Sequence, residues 1–184
     1  DLNPRFIQRS TQNEFVFTEA GMDALRNWAA TENTEIQFGA NFNLLQVRPQ
    51  DAETGELGTP FTLIPLLVEP DKWPYYGEVY TSDPEVKPLS EMFPEGEINT
   101  VLSRRVALEN NIQVGDFLVV AGVDQPIHVA GLVPDEAEGG VILRSGPAGL
   151  LGFTYYPLDR AAEIGLDPLP QRAYVKIPLG RDVE

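Results

Sequence analysis

The stretch from Val101 to Asp116, reading VLSRRVALENNIQVGD, constrains the fold more than any other part of the chain. Val101-Leu102 ends a short strand, and Ser103 can cap a helix because its hydroxyl accepts an orphan backbone N–H. Leu102 and Ala107 stand at hydrophobic-staple spacing around that cap. Arg105 to Glu109 fill the helix, and Asn110 or Asn111 can take the left-handed conformation that ends it. Ile112 to Asp116 is a tight turn. Gly115 supplies a positive φ there, and Asp116 can hydrogen-bond the turn. Phe117 to Val120 follows as a strand. After a turn at Gly122 to Gln125, Ile127 to Val133 returns with Ile127, Val129, Gly131 and Val133 on one face. The result is a helix-to-strand corner. Gly115 and Asp116 are structural residues and carry no chemistry.

Upstream, Thr18 suits the cap of an earlier helix, with Phe17 and Met22 at staple spacing. Met22, Leu25, Trp28 and Ala29 mark its expected buried face, and it should fade near Ala30. Ile36, Phe38, Ala40 and Phe42 then alternate with polar residues as in a half-buried strand, and Leu44 to Val47 is a second run. Asp51 to Thr59 is a polar hairpin loop. Phe61 to Glu69 returns as a strand whose Pro65 indicates an edge or a bulge. Pro70 to Pro74 is a turn, and Tyr75 to Tyr80 suits another short strand. Thr81 to Gly96 is a connection carrying one helical turn, Leu89 to Phe93. Further on, Val141 to Leu143 and Phe153 to Tyr156 suit short strands. Asp159 to Ile164 is a short helix with Gly165 at its C′ position. Arg172 to Ile177 is a final strand.

Charge and composition remove whole classes of function. The formal net charge is −15. A chain so acidic has too few cations to bind a phosphate backbone, which excludes nucleic acid as a partner. Nor would charge alone hold it on an anionic lipid surface. There is no cysteine, so disulfides, thiolate catalysis, iron–sulfur clusters and Cys-based zinc sites are excluded. The longest apolar run, Phe61 to Val68, is eight residues, too short to cross a membrane. The first residue is Asp1 rather than methionine, as expected of a mature or excised piece.

The apparent catalytic motifs dissolve on inspection. His128, the single histidine, would need Asp and Glu alone as partners for zinc, and no G-x-S-x-G accompanies it. It is expected to be a strand histidine with a local hydrogen bond. The glycines of Gly146 to Gly152 are three apart, without the Lys-Ser/Thr of a P-loop, so a loop between strands is expected. Asp135, Glu136 and Glu138 lack the alternating spacing of a calcium loop. No catalytic residue, metal ligand or cofactor-binding residue emerges. Trp73, Tyr75 and Tyr76 form an aromatic knot between Pro74 and Gly77. They are the candidate partner or substrate contacts, since amphipathic aromatics suit an interface; they suit the rim of a small core equally.

In order along the chain, these segments resemble the extracytoplasmic domain of ABC-transporter permeases of the FtsX-like, MacB-like type. The resemblance rests on LSRRVALENNIQVGDFLVV and the return HVAGLVPD, with PYYGEVY (Pro74 to Tyr80) upstream and GFTYYPLDRAAEIGL (Gly152 to Leu166) downstream. It covers Trp73 to Ile177. It implies an α+β fold: a mixed sheet-and-helix core subdomain of residues 1–97 and 168–184, and a second β-rich lobe, 98–167, inserted before the final strand. It also implies a non-enzymatic domain on the extracytoplasmic side of the plasma membrane. Transmembrane helices would anchor it on either side of this chain. Its partner would be a separate ATP-binding subunit, reached through the membrane part. It would engage a substrate, an adaptor protein or a lipid, and the full-length permease could form a dimer.

Two other readings compete. The A…L-x-V-G-D-x-L-x-V pattern is also similar to small β-barrels, including the double-psi barrels of some oxidoreductases. That reading predicts a barrel domain of a larger enzyme. A secreted, acidic carbohydrate-active protein would instead need a carboxylate pair at a defined separation across a cleft.

Overall fold

The computed structural model describes residues 5–9, 15–40, 44–74, 77–134, 152–166 and 170–176. The fold is α+β. Strands β1 (Ile7–Arg9) and β2 (Phe15–Phe17) pair antiparallel and lead into helix α1 (Glu19–Thr31). Thr18 caps α1, its Oγ1 accepting the Gly21 N–H at 3.1 Å while donating to the Arg5 carbonyl. Ala29 is buried, with Met22 and Leu25 packed beside it. Trp28 departs from the expected buried face and is 46 % exposed. Successive helical residues point about 100° apart, so the direction that buries Ala29 turns Trp28 outward.

Six strands close into a barrel: β4 (Leu45–Gln50), β5 (Phe61–Val68), β6 (Asn99–Ser103), β7 (Phe117–Val120), β8 (Ile127–Val133) and β9 (Phe153–Pro157). The order around the wall is β4-β5-β9-β6-β8-β7, with β7 returning to β4. Two pairings are parallel, β5 with β9 and β6 with β8; the others are antiparallel. Helix α2 (Arg104–Glu109) follows β6 directly, capped by Ser103. The 97/98 boundary expected between core and lobe falls between strands of this one barrel, since β4 and β5 precede it.

Strands β5, β9, β6 and β8 bury both faces. Leu63, Leu67, Leu102 and Tyr156 enter one apolar cluster, and Ile64, Leu66, Val101, Val133, Phe153 and Tyr155 enter another. This explains the near-continuous apolar run of β5, as expected of a strand covered on both faces. Where β6 meets β9 the buried hydroxyls are satisfied locally. Thr100 donates to the Tyr155 carbonyl and Thr154 to the Val101 carbonyl, both at 3.0 Å.

Pro65 lies within the barrel wall rather than at an edge. The Ile64 N–H donates toward β9, to Gly152, and the Leu67 N–H donates the other way, to Ala40. Pro65 therefore shares the Leu67 direction. It stands between the Leu45–Leu63 pair and the Ala40–Leu67 bridge, where no ladder acceptor waits for the missing donor.

Outside the barrel, β3 (Glu35–Gly39) pairs antiparallel with β10 (Arg172–Lys176), and α1 packs against β3. The segment between β5 and β6 carries a 3₁₀ turn, Leu89–Met92, that buries Leu89 and Met92. Of the strand expected from Tyr75 to Tyr80, the described part is a single bridge, Tyr80 to Pro88. The short helix after β9 is a 3₁₀ helix, Leu158–Ile164, closed by Gly165 at φ +75°. The expected strand Val141 to Leu143 lies outside the described residues.

Candidate functional site

Glu69 organises the turn that leaves β5. Its backbone carbonyl accepts the N–H groups of Lys72 and Trp73 at 3.0 and 3.1 Å. Its carboxylate accepts the Phe38 N–H at 2.7 Å and pairs with Lys72 at 2.7 Å. One acidic side chain thus ties the turn to β3 and aims Trp73 at β10. The Trp73 ring meets Tyr174 edge-to-face, with centroids 5.8 Å apart. Trp73 is half-buried, and among the described residues its Nε1 has no acceptor.

Trp73 lines a groove of about 470 Å³ between the β3–β10 pair and residues 70–74, 77–79 and 88–90. Pro70, Pro74, Pro88, Ile36 and Leu89 give it apolar walls. Its charged lining is Glu35, Asp71 and Glu78 against Lys72 and Lys176. Lys72 is held by Glu69, and Lys176 is held by Glu35 at 3.1 Å. Among the described residues no cation meets Asp71 or Glu78, and both are exposed. The Glu78 carboxylate accepts the Tyr80 hydroxyl and holds that phenol above its usual range.

Of the three candidate contacts, Trp73 is placed on this groove. Tyr75 and Tyr76 lie outside the described residues. Tyr174 and Glu69 were not singled out in the sequence. Glu69 carries a local signal, a carboxylate three residues before Lys72 at the end of an apolar run. Tyr174 carries none, because only the β3–β10 pairing brings it to Trp73.

The corner at Gly115-Asp116 is a separate feature. Gly115 has φ +101° and donates its N–H to the Val129 carbonyl at 2.9 Å. The Asp116 carboxylate accepts the Gln113 N–H at 2.7 Å and the Ala52 N–H at 3.0 Å. His128 lies beyond the corner, its Nδ1 3.1 Å from Asn99 Oδ1 and its ring tilted against Phe117. Gly146 to Leu151 and the Asp135, Glu136 and Glu138 cluster fall outside the described residues. Among the described residues no three His, Asp or Glu side chains converge as a metal would require, and no helix is long and apolar enough to cross a membrane.

No family model matches this sequence, and no curated protein matches it. Among solved structures it is similar to the extracellular domain of the noncanonic ABC-type transporter YknZ from Gram-positive bacteria. The identity is 12 % and the TM-score 0.57, over 95 % of this chain and 82 % of that one. At this identity the likeness is one of fold: the chain has the fold of an ABC-type transporter's extracellular domain. It extends over far more of the chain than the corner motif alone explains.

Proposed function

We propose that this chain is the extracytoplasmic domain of an ABC-transporter permease, of the FtsX-like, MacB-like type, and is not itself catalytic. The supporting observation is the fold likeness to a transporter's extracellular domain over 95 % of the chain. The order of the motifs from Trp73 to Ile177 supports it independently. In this reading, membrane helices on both sides anchor the domain, and a separate cytoplasmic subunit hydrolyses ATP. The domain works by conformational coupling. Movement of its anchored ends changes what its surface holds, whether a substrate, an adaptor or a lipid, and the permease pairs as a dimer. Trp73, Tyr75 and Tyr76 would contribute to the contact surface.

The closed barrel by itself also suits a barrel domain of a larger enzyme. The discriminating experiment uses one engineered cysteine, since these 184 residues hold none. Ser90, on the groove wall, is replaced by cysteine in a full-length protein from which any cysteine outside these residues has been removed, and labelled with an environment-sensitive fluorophore. ATP should change the emission, and a hydrolysis-deficient ATP-binding subunit should abolish that change. An emission indifferent to ATP contradicts the coupling.

A further inference from the structure

We infer that the Trp73 groove takes a cationic peptide segment, an inference that rests on reading this groove as a contact surface. The first support is charge. Two of its carboxylates, Asp71 and Glu78, have no cationic partner among the described residues, whereas both of its lysines are already engaged by Glu69 and Glu35. An arriving cation therefore meets uncompensated negative charge, and an anionic lipid or a phosphate meets repulsion. The net charge of −15 adds a long-range field of the same sign, which raises the rate of cation encounter.

The second support is the wall. The Trp73 ring is half-buried and held edge-on by Tyr174, and indole is the best aromatic surface for an ammonium or guanidinium group. The third is size and donor content. A groove of about 470 Å³ is larger than one ammonium group needs and holds several residues of an extended chain. Pro70, Pro74 and Pro88 line it and have no backbone N–H to offer a ligand's carbonyls. Recognition then falls on the ligand's charged side chains.

The test uses the 184-residue chain with Trp28→Phe, which leaves Trp73 as its single tryptophan. Hexalysine, hexaglutamate and spermine are titrated while Trp73 emission is followed. Hexalysine should give a saturable change and hexaglutamate none, and spermine should bind at least about tenfold more weakly, since its four ammonium groups place fewer charges along the groove than six lysines do. Asp71→Asn with Glu78→Gln should weaken hexalysine by about tenfold or more. Glu53→Gln with Glu56→Gln, exposed carboxylates away from the groove lining, should weaken it less than about twofold.

Three results overturn the inference: no saturable change with hexalysine, equal weakening by the two carboxylate pairs, or spermine binding as tightly as the peptide. None of them touches the permease reading, which is decided by the ATP response of the Ser90 label. An absent ATP response with hexalysine bound would conversely leave the groove assignment standing.

Discussion

Asp116 Oδ1 accepts the backbone N–H of Ala52 at 3.0 Å, across a separation of 64 residues. The bond fastens the loop between β4 and β5 to the corner that launches β7, and its other oxygen holds the corner itself at Gln113. Asp116→Ala leaves both donors without their acceptor. We expect a loss of about 1–2 kcal/mol in urea unfolding: each hydrogen bond is worth about 0.5–1.5 kcal/mol net, and both donors belong to exposed residues that water can reach. Asp116→Asn keeps one acceptor oxygen and should lose about half as much. Faster amide exchange at Ala52 should accompany either change, and an unaltered unfolding midpoint for Asp116→Ala would refute the clasp.

Gly115 and Gly152 separate conformational from steric cost. Both have positive φ, +101° and +71°. A Cβ at Gly115 meets nothing within 4 Å, whereas one at Gly152 would stand 2.0 Å from Val106 Cγ2. Gly115→Val should therefore cost about 1–3 kcal/mol through backbone strain alone. Gly152→Ala should cost more, by a further 1–3 kcal/mol or so of overpacking. Val106→Ala added to Gly152→Ala should recover part of that excess and recover nothing when added to Gly115→Val. Equal losses for the two glycines would contradict the close approach to α2.

Glu69 should matter more to the groove than its partly exposed position suggests. Glu69→Ala removes the acceptor of the Phe38 N–H, a group on a buried residue. It should cost about 1–3 kcal/mol and, in the Trp28→Phe background, shift Trp73 emission to the red as the turn loosens. Glu69→Gln retains an acceptor and should hold the emission near its original position. Unchanged emission in Glu69→Ala would show that the turn does not depend on this carboxylate.

Alkaline stability tests the Tyr156–Glu163 contact. The Tyr156 hydroxyl donates to Glu163 at 3.1 Å. Burial, reinforced by that carboxylate, pushes the phenol above its ordinary value of 10.0. The folded chain then holds this proton more tightly than the unfolded chain does. The associated stability is complete below the unfolded value and is lost as pH rises toward the folded one. Tyr156→Phe has no such proton, so its unfolding free energy should fall less steeply above pH ~10. Tyr80 titrates in both proteins and cancels in the comparison. Identical slopes would contradict the burial of this hydroxyl.

Local signals carried far into the structure. Thr18 and Ser103 cap the helices their spacing indicates. Phe117–Val120 and Ile127–Val133 are the strands that alternation indicates around the turn between them. Barrel closure was not legible, because it depends on β5 meeting β9 and β6 meeting β8 in parallel across long connections. Alternation states that a strand has an inner face and never which strand lies beside it. Pro65 signalled an edge or a bulge, and the ladder is irregular there: Leu63 and Leu67 are four residues apart on β5, while their partners Leu45 and Ala40 are five apart. The groove was half legible. Trp73 stood out as an aromatic beside prolines, but Tyr174 and the carboxylate balance around it required the β3–β10 pairing.

The most direct measurement is the membrane topology of the native protein. An antibody raised against the 184-residue chain is applied to fractionated cells, with and without protease added from outside. We expect the antigen to sediment with membranes, to resist alkaline carbonate extraction, and to be cleaved by protease added to spheroplasts, whose outer envelope is open, before the plasma membrane is lysed. Antigen in the soluble fraction, or membrane antigen shielded until the plasma membrane is lysed, would contradict an extracytoplasmic transporter domain.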